Sequence, residues 1–253
     1  MDTVADPNIT FDENGISNYW YDYQKVAKEG LVHGQDGVDK WSNCVAAIKK
    51  NGKGKKYDCI VGVSGGVDST YIAYMAKQAN LRPLIVHFDN GWNSELAVQN
   101  INNIIEYLDA DLYTLVVDWE EFKDLQRSYL KAGVIDIEVL TDHAILATLY
   151  KLAAKHQIKY VLSGSNIETE AVLPQAWIYG KADSINILDI HDKYGEVKLK
   201  TYPLFTVLKK KYYLTFKKLE FVKPINWAPY NKQKIKDLIT KEIGWRDYGG
   251  KHQ

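Results

Sequence analysis

The sequence predicts an α/β protein built on a doubly wound parallel sheet with helices on both faces. Three observations carry that reading. YDCIVGV, RPLIVHF, DLYTLVVD and KYVLSG are short, nearly unbroken apolar runs, as strands covered on both faces are. Segments with helical spacing separate them, which is the alternation of a parallel sheet. SGGVDS follows the first run directly, a bare turn at the edge where such sheets bind ligands.

Taken in order, residues 1–30 read as irregular, because DPNITFDENG supplies turn formers. A helix is predicted over 39–50, with Trp41, Val45 and Ile48 as its apolar stripe. NGKGKK breaks the chain before the first strand. Strands are predicted at 57–63, 82–88, 111–118 and 159–164, with helices over 69–78, 94–108 and 139–154. Right-handed crossovers then gather the C-terminal ends of the strands on one edge. Beyond 171 the pattern weakens. The stretch 204–221 mixes tyrosine, phenylalanine and lysine at roughly helical spacing and reads as one amphipathic helix. A clearer helix spans 231–243, with Asn231 as N-cap and Gly244 just past its end.

Composition bounds the function. The 253 residues are 46% hydrophobic, and 32 basic residues balance 32 acidic ones. Proteins that bind polyanions carry a basic excess, so no nucleic-acid partner is expected. Lysine clusters at 53–56 and 209–211 read as solvated faces. Cys44 and Cys59 are the two cysteines, too few for a disulfide framework or a four-cysteine zinc site. Cys59 lies in an apolar run and reads as a small buried hydrophobe. No secretion signal and no long apolar span occur in the sequence, so a soluble, cytoplasmic protein without a membrane partner is expected.

The turn after the first strand is neither a Walker A loop, which needs a lysine after its glycines, nor a GxGxxG fingerprint, because Ser64 follows Gly62. Gly65 and Gly66 let the backbone curl so that successive N–H groups converge on an anion. The hydroxyls of Ser64, Ser69 and Thr70 add donors, and the positive end of the next helix faces the same spot. Asp68 is out of place beside a phosphate. It is accounted for either as a helix cap or as a ligand for Mg2+ bridging to phosphate oxygens.

SGGVDS behind the first strand resembles the pyrophosphate-binding loop of the PP-loop ATP pyrophosphatases, whose fold is the adenine nucleotide alpha hydrolase-like three-layer sandwich. DPNITFDENG, HFDNGWNSELAVQNI, EVLTDHAI, LSGSNIETEA and WRDYGGKHQ further resemble the N-acetyl sugar amidotransferases of bacterial lipopolysaccharide O-antigen and flagellin-sugar biosynthesis. These motifs span nearly the whole chain. The resemblance implies an ATP-dependent enzyme that forms AMP and pyrophosphate and converts an acetamido group on a sugar to an acetamidino group. ATP and Mg2+ are the implied cofactors. It also implies ammonia from a separate glutaminase, with a cyclase-like subunit as a conduit.

The implied roles fall on particular residues. Ser64, Gly65, Gly66, Asp68, Ser69 and Thr70 would cradle the phosphates. His87, Asp89 and Asn90, after the second strand, would meet ribose or adenine, although His87 reads equally as a satisfied strand-end histidine. Gly164, Ser165 and Asn166, after the fourth strand, suit nucleotide or substrate contacts. Asp68 and Glu170 are the expected Mg2+ ligands, Glu168 and Glu170 reading equally as a solvated loop. Asp142, grouped with Glu138 and His143 at a helix start, is a substrate or metal contact or a cap. Arg246 and Lys251 would steady the leaving pyrophosphate, the bland reading being a basic tail.

Some features depart from the resemblance. Ser17 and Trp20 stand where that family's cysteines are expected, so no zinc site is predicted and 1–50 reads as the remnant of one. Residues 51–170 read as the ATP-binding core. Residues 171–253 read as a mostly helical part completing the substrate and pyrophosphate site. The family runs on further, so a shortened member or a fragment is expected. The competing readings are a PP-loop enzyme that modifies tRNA, which would want a basic face and reactive cysteines, and a non-catalytic ATP-binding module.

Overall fold

The computed structural model describes residues 3–4, 6–171, 174 and 177–249. β1 (Cys59–Val63), β2 (Pro83–Asp89), β3 (Leu112–Val116), β4 (Tyr160–Leu162) and β5 (Glu220–Val222) form one sheet in the order β3-β2-β1-β4-β5. Each pairing is parallel, with Ile60 opposite Leu84 and Val161 in the central strand. The four strands read from sequence are all present. The sheet is doubly wound, because the chain leaves β1 toward β2 on one side and later returns to lay β4 on the other. That reversal opens a crevice beyond the carboxyl ends of β1 and β4.

Side chains of β1 alternate between the two faces, as the pleat requires. Cys59, Val61 and Val63 join one core with α3 (Val67–Gln78), α4 (Glu95–Leu108) and α10 (Lys232–Ile243). Ile60 joins the opposite core, beneath α6 (Val139–Lys155). A third cluster unites α5 (Trp119–Lys131), the start of α6 and α8 (Ser184–Tyr194).

Four stretches differ from the sequence-based expectation. Residues expected to be irregular form α1 (Asn18–Gly30), none of whose residues is fully buried. Ser17 is its N-cap and Trp20 is about half exposed. α2 (Gly34–Gly52) begins five residues earlier than expected, and its first turns include Gly37, whose added Cβ would lie 2.2 Å from the Trp227 carbonyl. α5 follows β3 directly; buried Glu121 and Asp124 interrupt its apolar stripe. The single helix expected over 204–221 is two elements: α9 (Val207–Thr215), then β5. β5 also means that the sheet does not end at 170. The C-terminal part contributes a strand to the core sheet and α10 to one of its faces.

Candidate functional site

The loop at 64–69 hangs in the crevice and is held from every side. Gly65 has φ +78°, and a Cβ there would lie 2.6 Å from the Ala97 carbonyl of α4, so its bareness serves both backbone conformation and packing. Gly66 is not left-handed. It is the extended N-cap of α3 at φ −77°, with no side-chain cap of its own. The first turn of α3 thus keeps its N–H end toward the crevice without a competing capping oxygen, the arrangement that accepts an anion.

The serines stiffen the loop. Ser64 N–H donates to Ser69 Oγ at 3.2 Å, the two hydroxyl oxygens are 3.3 Å apart, and Gly66 N–H approaches Ser64 Oγ at 3.4 Å. Thr70 corrects the sequence reading. Its hydroxyl is fully buried and donates to the Gly66 carbonyl at 2.7 Å, so it braces the helix start and does not face the opening.

Asp68 resolves in part. The N-cap is Gly66, so Asp68 is not the cap; it stands in the first turn and accepts from the Tyr230 hydroxyl at 2.8 Å. Burial, then that hydrogen bond, raises the Tyr230 phenol well above its ordinary value, so it remains a donor. Across the crevice, Gly164 presses against the same turn. A Cβ there would lie 3.0 Å from both Asp68 C and Ser69 N.

α7 (Ile167–Glu170) follows. Asn166, only 2% exposed, is its N-cap and accepts from Thr169 N–H and hydroxyl at 3.0 Å each. Its Oδ1 is therefore engaged within the chain, while Nδ2 lies 3.5 Å from the Gly164 carbonyl. Glu170 is more than a third exposed at its margin. Protein atoms around its carboxyl nevertheless raise its pKa, and the negative charges of Asp68 and Asp142 raise it further, against Ser165 and Lys223. Carboxylates that disfavour one another's charge suit a hard cation. Asp68 and Glu170 are therefore the side chains here that could hold such a cation.

Asp142 pairs with Lys181 at 3.1 Å, and Lys181 also holds Asp136 at 2.7 Å. Burial disfavours the Lys181 charge, but the two carboxylates outweigh it and raise its pKa. His143 does not join this acidic group. It is fully buried, with Nδ1 2.9 Å from the Lys181 carbonyl and Nε2 accepting from Phe205 N–H at 3.1 Å. Burial lowers its pKa, so it is a neutral core histidine.

At the end of β2, His87 is 7% exposed and its Nδ1 lies 3.1 Å from the Val63 carbonyl, directly before the loop. Its Nε2 lies 3.3 Å from Asn93 Nδ2. The satisfied strand-end reading therefore accounts for it. Asp89 Oδ1 accepts from Gly91 N–H and Asn93 Nδ2, and Asn90 Oδ1 from Trp92 N–H. Both side chains organise a turn.

The C-terminal stretch bolts onto the loop. Buried Trp245 donates from Nε1 to the Gly65 carbonyl at 2.9 Å. Asn100 donates to the same carbonyl and to the Arg246 carbonyl, and its Oδ1 accepts from Arg246 N–H. The exposed Arg246 guanidinium reaches Gln99 at 3.0 Å. Lys251 lies outside the described residues.

Sequence reading missed Tyr230, Trp245, Asn100, Lys181 and Lys223. Signals existed for Asn100, an amide in phase with the apolar face of α4 beside Ala97, Ile101 and Ile104, and for Trp245, which opens the motif WRDYGGKHQ. Burial pushes the Cys44 thiol up to about 11 and Cys59 well above its ordinary value, so both are thiols at neutral pH. Among the described residues, no group of three histidine, cysteine or acidic side chains is gathered to hold a metal ion. None of their helices is long and apolar enough to cross a membrane.

A glycine loop ending the central strand of this parallel sheet, with an acid in the following helical turn, defines a PP-loop ATP pyrophosphatase, a class of ATP-using enzymes. Within it, the chain belongs to the family described as queuosine biosynthesis protein QueC, whose profile matches residues 58–238. That is a different family from the sugar amidotransferases that the motifs resemble. No curated protein matches. The chain is similar to NMN synthetase from Francisella tularensis, at 13% identity over 85% of this chain and 90% of that one, with a TM-score of 0.42. It is also similar to an NH3-dependent NAD synthetase from Campylobacter jejuni at 15% identity, over 68% and 72% of the two chains, with a TM-score of 0.40. A third likeness is to a predicted subunit of tRNA methyltransferase from Methanocaldococcus jannaschii, at 12% identity over 72% and 73%, with a TM-score of 0.38.

Proposed function

We propose that the protein is an AMP- and pyrophosphate-forming amidotransferase that replaces the acetamido oxygen of an N-acetylated sugar with nitrogen from ammonia. The observation that carries this reading is the uncapped α3 terminus behind SGGVDS, with Asp68 fixed beside it by Tyr230. A terminus of that kind grips the β and γ phosphates and stabilises charge on a departing pyrophosphate. The five motifs shared with sugar amidotransferases supply the substrate class.

The bond changes balance as follows. The amide oxygen attacks the α phosphorus, the bond to the β phosphate breaks, and pyrophosphate leaves with that electron pair. Ammonia adds its lone pair to the activated carbon, loses a proton, and the C–O bond breaks to release AMP. Mg2+ held by Asp68 and Glu170 would neutralise phosphate charge. Arg246, and Lys251 beyond the described residues, are the cations proposed for the leaving group. Asp142 and Lys181 are proposed to face the acceptor. Ammonia would come from a separate glutaminase, with a cyclase-like subunit as conduit, as the resemblance implies.

The family match favours a second reading, a role in queuosine biosynthesis. The discriminating assay supplies ATP, Mg2+ and ammonium with either an acetamido sugar or bulk tRNA. The first reading expects AMP and pyrophosphate with the sugar alone, and a loss of at least about 100-fold in Asp68→Ala. No AMP with any acetamido sugar, or full turnover in Asp68→Ala, overturns it.

A further inference from the structure

Two indoles stand at the ligand-binding edge of the sheet. Trp92, in the turn after β2, is 56% exposed, and Trp119, at the start of α5, is 40% exposed. Their rings meet edge to face with centroids 5.5 Å apart. Scattered exposed apolar residues need no explanation, but this pair is built. Trp92 N–H donates to Asn90 Oδ1, and its Nε1 donates to Gln126 Oε1 at 3.2 Å. Gly91 between them has φ +81°, and a Cβ there would lie 3.1 Å from the Trp119 ring. The bare backbone thus lets the second indole close under the first.

The turn is tied to the phosphate loop by hydrogen bonds. Asp89 holds Asn93, Asn93 reaches His87, and His87 reaches the Val63 carbonyl, one residue before Ser64. β2 lies beside β1 and β3 beside β2. The strands that lead into the shelf and into the loop are therefore neighbours in the sheet, about 5 Å apart from β1 to β2.

From this geometry we infer that Trp92, backed by Trp119, is the shelf on which the acceptor's pyranose ring stacks, so that its acetamido arm reaches toward the loop. A sugar's C–H face packs on an indole, whose electron-rich face attracts weakly positive hydrogens. Gln126 fixes the indole so that little rotamer freedom is lost on binding. The inference rests on the acetamido-sugar reading for the identity of the ligand.

The test uses the full chain with UDP-N-acetylglucosamine and N-acetylneuraminic acid as probes. Saturation-transfer NMR reads contact with the sugar ring, and AMP formation gives KM for sugar and for ATP separately. Trp92→Ala should weaken sugar binding or raise sugar KM about tenfold, ~1.4 kcal/mol, with ATP KM unchanged. Trp92→Phe should recover part of it. Sugar binding unchanged in Trp92→Ala, a rise in ATP KM instead, or no binding of either sugar to the wild-type chain overturns the shelf. The two readings fail differently. Sugar binding that depends on Trp92 without AMP sinks the amidotransferase and spares the shelf; AMP formation indifferent to Trp92 does the reverse.

Discussion

At the residue scale, the loop depends on one backbone angle and one contact. Gly65 combines φ +78° with a carbonyl only 2.6 Å from where a Cβ would stand. Gly65→Ala should therefore cost roughly 1–2 kcal/mol in backbone strain alone, and more once Ala97 is pushed aside. Thermal melts and ATP titration should both show the loss, while Gly62→Ala, with open space at its Cβ, serves as control. A variant that binds ATP like the wild type contradicts this account of the loop. The need for glycine was legible in SGGVDS, but which glycine was not: Gly66 is an ordinary N-cap. Thr70 was misread for a related reason. A hydroxyl or amide that serves its own helix end looks, in sequence, like one that faces a ligand.

At the element scale, α5 acts as a clamp. Glu121 accepts from Thr201 and Tyr202 N–H, and Asp124 from Glu196 and Val197 N–H with His191 beside it. Burial raises both carboxyl pKa values, but the backbone N–H groups outweigh it, and both end below their ordinary 4.5 and 3.8. Depressed folded pKa values stabilise above the unfolded ones and lose that stability as pH falls through the folded ones. The loop at 195–202 should accordingly loosen below about pH 4, read as faster amide exchange there before global unfolding. Glu121→Ala should cost about 3 kcal/mol at neutral pH and flatten this acid limb. Exchange at 201 and 202 that ignores both changes refutes the clamp. The helix escaped sequence reading because these buried acids stand where an apolar stripe was sought.

At the scale of the whole molecule, the parallel sheet and its ligand-binding edge were legible because strands buried on both faces advertise themselves. β5 was not, being three residues long and preceded by aromatic residues with helical spacing. The missed parts of the site come from contacts between distant stretches: Tyr230 on Asp68, and Trp245 on Gly65. Trp245→Phe keeps the packing and removes one donor to the Gly65 carbonyl, leaving Asn100. A loss of about 1 kcal/mol in stability and a several-fold weaker ATP affinity are expected by calorimetry. Unaltered affinity would show that the loop needs no bolt.

That bolt also sets an order of events during synthesis. The ribosome delivers Ser64 to Ser69 long before Tyr230, Trp245 and Arg246, so a nascent chain carries the loop without the groups that hold it. Nucleotide should engage only after the last of these has emerged from the exit tunnel, so competence for ATP waits on the segment 230–246.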